Sequence, residues 1–209
     1  MKHFRTQKTG VLTSMVASMM AVLLLSAGAA ADQNYGGILA GKSEVDVTVK
    51  GLNGASYDKT SSAHSIFMGR EFDDEYSIEM FHTNLGTSKL RSLAGGSYIH
   101  EGETVVIDAD FSASLKVRSY GVAAKYYVDL RERTRMSLKL GMHKWSAKMA
   151  ARIPGISTAI KYDGTDAMGG IGVEYEADKN TVLMAGVDSY AADKDTISMT
   201  YLGLRFNFD

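Results

Sequence analysis

The chain has 209 residues and a formal net charge of −1, with 21 glycines, 11 tyrosines, one proline and no cysteine. The absence of cysteine excludes disulfides, thiolate metal sites, a cysteine nucleophile and a lipid-modified N-terminal cysteine. The near-neutral charge gives no indication of nucleic-acid binding. The glycine-rich, tyrosine-rich and proline-poor composition favours strands over helices.

The N-terminus has the three-part form of a secretory signal peptide. Residues 1–10 carry three basic side chains and no acidic one, residues 15–25 are almost wholly apolar, and small residues follow. A membrane anchor is the alternative, but this apolar run is shorter than the roughly 20 residues that a spanning helix needs. Because Ala29 and Ala31 fit the cleavage rule, we predict a signal peptide over 1–31 and one mature domain over 32–209, beginning at Asp32.

The rest of the chain alternates apolar and polar residues with a period of two, which predicts strands from end to end. Eight strands are predicted at residues 35–49, 65–72, 76–85, 111–130, 135–150, 165–176, 181–190 and 196–208. The connections after strands two, four and six are short and charged, whereas the long loops are residues 50–64, 86–110 and 151–164. Short turns at one end and long loops at the other are typical of outer-membrane barrels.

The strands have one apolar and one polar face. In strand four, Tyr120, Val122 and Tyr126 share the apolar face, and Lys125 and Asp129 share the polar one. A soluble barrel with an apolar interior is one interpretation, and a membrane barrel with its apolar face in lipid is the other. The signal peptide, the glycine-rich polar faces and a last strand that could close the barrel against the first favour the membrane barrel.

The apolar residues change face within strands four and five. In strand four the change follows Val117, and in strand five it lies near Lys144, just before Trp145. These changes predict bulges, or strand ends above a bilayer. Tyrosine and tryptophan near these points are expected in the interfacial aromatic girdle.

Four segments have more specific sequence motifs: MGREFDDEYSIEMFHTNLG, KLGMHKWSAK, DGTDAMGGIGVEYEADKN and YLGLRFNF. They resemble the second hairpin, the fifth strand, the sixth strand with its turn, and the closing strand of the outer membrane protein A family and its small porin-like and adhesin-like relatives. The resemblance implies an all-β fold, an eight-stranded antiparallel up-and-down transmembrane β-barrel, monomeric and located in the Gram-negative outer membrane. It also implies that Phe206 and Phe208 form the signal for the outer-membrane assembly machinery, although Asp209 follows them here.

If the apolar faces point outward, several charged side chains point into the barrel. These are Lys42, Glu44, Glu79, Lys125, Lys139, Glu174 and Arg205. Since an eight-stranded barrel has room only for its own side chains, we expect these charges to pair with one another. The resemblance implies a Glu–Arg–Lys network of Glu79, Lys125, Glu174 and Arg205. Such a network either fills the interior or controls a narrow water path, and we favour the first.

The sequence offers little evidence of catalysis. A hydrolytic site needs a nucleophile, a base and an orienting acid, and some outer-membrane barrels modify lipid A. The nearest local match is His64–Ser65, whose surroundings do not resemble those enzymes. Because no zinc-protease, calcium-loop or phosphate-loop motif occurs, we predict no catalytic residue, no metal and no cofactor.

These observations together predict a non-enzymatic outer-membrane barrel that supports envelope integrity or surface adhesion through its extracellular loops, the longest being residues 86–110. Two alternatives stay open: a narrow porin-like channel gated by interior charges, and a lipid A-modifying hydrolase. The predicted partners are outer-membrane lipid and lipopolysaccharide, the assembly machinery, and a host surface or matrix protein. Nucleic acid is not among them.

Overall fold

The computed structural model describes the backbone of residues 33–46, 49–100 and 102–208. The predicted signal peptide over 1–31, its cleavage between Ala31 and Asp32, and the terminal Asp209 lie outside these residues. No helix in the part of the chain that the structure describes is long and apolar enough to cross a membrane.

The described chain is built from antiparallel strands. They are β1 (Gln33–Asp46), β2 (Val49–Asp58), β3 (Thr60–Glu71), β4 (Tyr76–His100), β5 (Glu103–Val106), β6 (Phe111–Arg131), β7 (Thr134–Ile153), β8 (Ile156–Glu176), β9 (Thr181–Ala192) and β10 (Asp195–Phe208). Eight of them form a closed ring in the order β1, β3, β4, β6, β7, β8, β9, β10, because β4 pairs with both β3 and β6 and β1 pairs with β10. The predicted eight-stranded up-and-down barrel is therefore confirmed.

The ring closes between the first and last strands, as the sequence predicts. Residues of β1 and β10 pair in unbroken register from Asn34 opposite Phe208 to Asp46 opposite Thr196. We call the end with the tight turns at residues 72–75, 132–133 and 177–180 the turn end, and the opposite end the loop end. The closing strand β10 therefore begins at the loop end and finishes at the turn end with Phe208.

The three predicted long connections lie at one end of the ring as expected, but most of their residues form strands there rather than irregular loops. Residues 50–64 contain most of β2 and the start of β3, and residues 86–110 contain the outer part of β4 and all of β5. Residues 151–164 extend the β7–β8 hairpin to its tip at Pro154 and Gly155. β2 and β5 both pair with β4 and form a ribbon that projects beyond the ring. Backbone groups in these segments are satisfied by pairing, which irregular loops could not provide.

β4 enters this ribbon through a bulge at Gly86. Its register with β6 shifts between Asn84 and Thr87, and Gly86 has a φ of 81°. That left-handed conformation is available to glycine without steric cost. As a result the inward face of β4 passes from the odd-numbered Leu85 to the even-numbered Ser88, both of which are buried.

The sequence offers two explanations for the change of face in strands four and five. Bulges are not found at these points of β6 and β7, whereas strand ends above a bilayer agree with the structure. β6 and β7 pair without a register shift from Ser112 opposite Arg152 to Asp129 opposite Arg135, and the same faces point inward throughout. Trp145 is buried inside the barrel rather than in an aromatic girdle. The change that the sequence shows is one of chemistry: apolar side chains point outward toward the turn end and inward toward the loop end.

Outward apolar side chains form a continuous band around the ring, which we call the apolar belt. Its members include Ile38, Ile66, Met68, Val122, Leu138, Leu140, Met142, Ile171, Val173, Leu183, Val187 and Leu202. Leu140 is 73% exposed and Leu202 is 70% exposed. A band of this kind is far larger than the exposed apolar patches of soluble monomers, and it matches the lipid-facing surface of a membrane barrel.

Candidate functional site

The structure places five of the seven predicted inward charges inside the barrel. Glu79, Lys125, Lys139, Glu174 and Arg205 are each at most 7% exposed. They lie on five different strands, and the ring brings their side chains together.

The expectation for Lys42 and Glu44 is wrong. Both point outward near the loop end, and Glu44 forms an exposed ion pair with Lys59. Ser43 and Val45 occupy the inward face of β1 instead. The physical reason is that the odd-numbered face of β1 points inward along the whole strand, from Tyr35 and Leu39 to Val45, so the even-numbered Lys42 and Glu44 face outward into water.

Three further charged residues join the five. Glu71 at the end of β3, Arg135 at the start of β7 and Asp188 within β9 all contact them. A parity argument could have found Arg135, since it shares a face with the polar Ser137 and Lys139. We refer to these eight side chains as the interior charge cluster.

The part of this cluster nearest the turn end contains two arginines and two carboxylates. Glu71 accepts from both Arg135 and Arg205. Glu174 Oε2 lies 3.1 Å from Arg135 Nη2 and 3.4 Å from Arg205 Nη1. The two guanidinium groups therefore share the same two carboxylates, which hold both arginine side chains in place inside the barrel.

The deeper part of the cluster is built around two lysines. Lys125 Nζ lies 2.5 Å from Glu174 and 3.7 Å from Glu79. Lys139 Nζ lies 3.0 Å from Glu79 and 3.1 Å from Asp188. The cluster thus balances four acids with four bases, which offsets the cost of removing these charges from water.

Aromatic side chains complete the wall around these cations. The guanidinium carbon of Arg135 lies 3.6 Å from the ring centre of Tyr127, and that of Arg205 lies 4.9 Å from the ring centre of Tyr35. Ser77 Oγ is 3.0 Å from the hydroxyl of each tyrosine. Cation–π contacts and hydrogen bonds therefore occupy the space between the ion pairs.

Toward the loop end the interior becomes first neutral and then apolar. The hydroxyl of Tyr190 lies 3.3 Å from Thr83 Oγ1 and donates to Asp188 Oδ2 at 3.4 Å. Tyr190 thereby links the interior charge cluster to the neutral side chains above it. Beyond them lie mainly apolar side chains, which we call the apolar plug. They include Val45, Ala63, Leu85, Val117, Trp145, Ile197 and Met199.

One buried pair has a nucleophile and a base in contact. His143 Nε2 donates to the Ala191 carbonyl at 2.8 Å, and in the neutral imidazole Nδ1 then accepts from the hydroxyl of Ser119 at 2.8 Å. Ser119 is fully buried and His143 is 1% exposed. The pair lies below the apolar plug, where it serves as an interior hydrogen-bonded crosslink.

The predicted alternative dyad at His64–Ser65 does not form. His64 points outward, whereas Ser65 is buried and shares a 2.8 Å hydrogen bond with Thr83. Successive residues of a strand face opposite sides, so these two side chains are separated by the barrel wall. The described residues also hold no group of three His, Cys, Asp or Glu side chains placed to bind a metal.

The loop end presents a second candidate site on its surface. A cleft of about 700 Å³ lies between the middle of the ribbon and the β7–β8 tip. Its lining includes Arg91, Leu93, Phe111, Arg152 and Ile153. The combination of arginine with apolar side chains is one that binding surfaces favour.

The remaining predicted residues, Phe206 and Phe208, point outward on β10, with exposed fractions of 42% and 53%. They lie at the turn end, where β10 pairs with the start of β1. Their role as an assembly signal stays a prediction.

Comparison with known proteins links this fold to one family. The family model for the outer membrane protein beta-barrel domain matches residues 17–208. No curated protein matches the sequence significantly.

Among solved structures, the barrel is similar to Ail, the attachment invasion locus protein of Yersinia pestis, crystallised with the heparin analogue sucrose octasulfate. That similarity has a TM-score of 0.53 at 15% identity and covers 85% of this chain and 99% of Ail. The N-terminal barrel of Pseudomonas aeruginosa OprF gives 0.50 at 16% identity, covering 85% and 99%. OprG of Pseudomonas aeruginosa gives 0.51 at 12% identity, covering 84% and 95%.

Identities this low establish the fold alone, but the family match extends over nearly the whole chain. Together with the closed ring and its apolar belt, it locates the protein in the outer membrane of a Gram-negative bacterium. The chain belongs to the outer membrane protein beta-barrel domain family.

Proposed function

We propose that this protein is a non-enzymatic barrel that attaches the cell to external surfaces through its loop end, while its filled interior serves stability. The observation that carries the proposal is the ribbon of β2, β4 and β5. It projects from a ring whose interior is occupied by the charge cluster and the apolar plug. Strand segments that extend beyond the length needed to cross the membrane are expected to have a function outside it.

The surface of the loop end supports a binding role. Leu93, Val106 and Ile156 are 69%, 61% and 62% exposed, far from the apolar belt. Apolar side chains in this position face water, and exposed apolar patches on soluble surfaces commonly mark interaction sites. Ail, named for attachment and crystallised with a heparin analogue, supplies a precedent for this role on the same fold.

The attachment proposal is tested on cells that display the full chain. We expect Leu93→Asp/Ile156→Asp to lower adhesion to immobilised matrix proteins or host cells by several-fold, because the charges disrupt the apolar contact. Ser62→Asp/Thr196→Asp adds the same charge to exposed positions on β3 and β10 and is the matched control. Equal adhesion by all three proteins, at equal surface levels, would contradict the proposal.

The channel alternative is favoured only by the polarity of the interior, and it is tested by planar-bilayer conductance of the refolded mature chain. We expect silence, because eight strands enclose space only for side chains. Reproducible openings that change with Arg205→Ala would instead make the interior charge cluster a gate.

The enzyme alternative is tested by mass spectrometry of lipid A from cells with and without the protein. An unchanged spectrum is expected, since His64 and Ser65 lie on opposite sides of the wall. A modified lipid A that disappears with Ser65→Ala or Ser119→Ala would contradict the proposal.

A further inference from the structure

Three lysines lie side by side on the outer wall above the apolar belt. Lys116 of β6 pairs directly with Lys148 of β7, which pairs directly with Lys161 of β8. All three side chains are exposed and outward. Directly opposed residues on neighbouring strands are about 5 Å apart, and like charges in such positions destabilise a sheet. A row of this kind is therefore suited to a ligand that supplies negative charge.

A second set of cations lies two rows further from the belt. Arg91 of β4 and Arg152 of β7 flank Ser112 of β6 on the same outward face. Lys89 lies beside Ser114, one row lower. Arginine at this spacing can bind the oxygens of a phosphate or sulfate in a bidentate manner.

A shallow depression lies against these upper cations. It has a volume of about 250 Å³. Its lining includes Lys89, Arg91, Ser112, Ser114, Ala150 and Arg152. Because the side chains on its floor are small and the cations stand around it, an anionic group can approach the wall closely. We call this depression, together with the row of Lys116, Lys148 and Lys161, the basic depression.

The surrounding charges leave the basic depression strongly positive. Within residues 33–46, 49–100 and 102–208, none of its six cations forms an ion pair. Arg118 and Lys144 continue the positive stripe down to the belt. Three acids lie near this face: Asp163 opposite Ser146, Asp58 opposite Lys89, and Asp110, which lines the neighbouring cleft with Arg91 and Arg152.

The height of the basic depression identifies what it faces. Lys116 lies four residues beyond Tyr120, at the upper edge of the belt. With a rise of about 3.3 Å per residue and a strand tilt of about 40°, this places the lysine row roughly 10 Å above the edge. The cations that line the depression, Lys89, Arg91 and Arg152, lie on the outward face of the same wall.

We propose that the basic depression binds phosphate groups of the lipopolysaccharide molecules that surround the barrel. The lysine row and the two arginines would hold the phosphorylated inner sugars of one glycolipid against the wall. The position beside the membrane favours this source over a free polyanion. The depression shares Arg91 and Arg152 with the cleft at the loop end, whereas the lysine row lies outside that cleft. Substitutions in the lysine row therefore test this proposal independently of attachment.

The test uses the full chain, expressed in a Gram-negative host and purified as a folded barrel, with folding checked by the heat-dependent gel shift. Binding is measured with fluorescent lipopolysaccharide, with the same lipopolysaccharide after chemical removal of its phosphates, and with dextran sulfate as a free polyanion. The variant is Lys116→Gln/Lys148→Gln/Lys161→Gln. The matched control, Lys42→Gln/Lys179→Gln/Lys194→Gln, removes equal charge from exposed positions elsewhere.

We expect the variant to bind lipopolysaccharide about 10-fold or more weakly, since each basic residue near an anionic headgroup layer contributes substantially. The control should change affinity by less than about 2-fold, and added salt should weaken binding by the wild type. Dephosphorylated lipopolysaccharide should bind wild type and variant alike.

A structural side effect is separated by two further measurements. Without lipopolysaccharide the glutamine variant should be at least as heat-stable as the wild type, because like-charge repulsion is removed. Lys116→Arg/Lys148→Arg/Lys161→Arg, which keeps the charge, should retain binding. Equal affinity of wild type, variant and control would overturn the proposal. If the lysine substitutions weakened binding of dextran sulfate but not of lipopolysaccharide in vesicles, the ligand would be a free polyanion rather than the surrounding lipopolysaccharide.

Discussion

The two halves of this barrel use the same strands with opposite facing patterns. Within the apolar belt, Leu138 and Leu140 of β7 face lipid, whereas Lys139 faces the interior. Further along the same strand, Trp145 and Ala147 fill the interior and Lys148 faces outward. The register does not change between them. The lesson is that a strand's apolar face follows whichever side lacks water, and in this protein that side changes at the membrane surface.

The largest expected effect concerns the interior of the belt. Glu174 contacts Lys125, Arg135 and Arg205, so Glu174→Gln leaves buried cations without their shared acid. We expect a loss of about 3–5 kcal/mol in unfolding free energy, typical of a broken buried pair. The measurement is equilibrium unfolding by denaturant in vesicles.

Glu44→Gln in the upper half is the matched control for this change. It removes one partner of the exposed pair with Lys59, and we expect no measurable effect, because water screens exposed pairs. Equal losses for the two variants would contradict the contrast between the halves.

The next largest effect concerns the outer face. Leu140→Lys puts a charge against lipid and should cost about 2–4 kcal/mol if the site lies near the bilayer midplane. Ser146→Lys introduces the same side chain six residues further along β7 on the same outward face, above the belt, where water can solvate it. The same vesicle unfolding assay should therefore show a large loss for the first and little change for the second.

A smaller effect is expected inside the upper half. Val117→Thr puts a hydroxyl of nearly equal volume into the apolar plug, at a site that is 3% exposed. An unpaired hydroxyl there should cost about 1–3 kcal/mol. The matching exchange in the lower interior, Ser77→Val, removes the hydroxyl that bridges Tyr35 and Tyr127, so it should also destabilise. If Ser77→Val destabilised the protein and Val117→Thr did not, the upper interior would not be the apolar environment that the structure shows.

The smallest effect lies outside both halves, in the turn between β8 and β9. Asp178 accepts a hydrogen bond from the backbone N–H of Asn180 at 2.9 Å, which lowers the pKa of its carboxyl below the usual 3.8. A lowered folded-state pKa contributes stability that is present above pH 3.8 and is lost as the pH falls through the folded value. Asp178→Asn should therefore destabilise slightly at neutral pH, and this deficit should shrink as the pH falls below 3.8, as measured by unfolding midpoints against pH. A larger deficit at pH 2 than at pH 7 would contradict this account.

Much of the fold was predictable from local pattern. The alternation of residues in β6, β7 and β10 identified strands, and the charged segments at 72–75 and 177–180 identified turns. The eight-stranded ring followed from counting these elements. Such features depend on residues near one another in the chain, where backbone geometry imposes a period of two.

The site was predictable only in part. Glu79, Lys125, Lys139, Glu174 and Arg205 lie in strands whose outward faces are clearly apolar, so their direction could be inferred. Arg135 and Asp188 were missed because they occur near a strand end or among apolar neighbours. Their partners lie on other strands, and a sequence pattern does not show which strands meet.

The sequence by itself determined the strands, the tight turns and the existence of two chemically distinct faces. Only the tertiary structure decided which face lies inside at each height, because parity separates two faces without saying which one the closed ring encloses. Lys42 and Glu44 face outward because the odd-numbered face of β1 points inward along the whole strand. The lysine row arises only when β6, β7 and β8 align their registers, since its members are far apart in the chain. Local geometry repeats along a strand, but the inside of a barrel is a property of the whole ring.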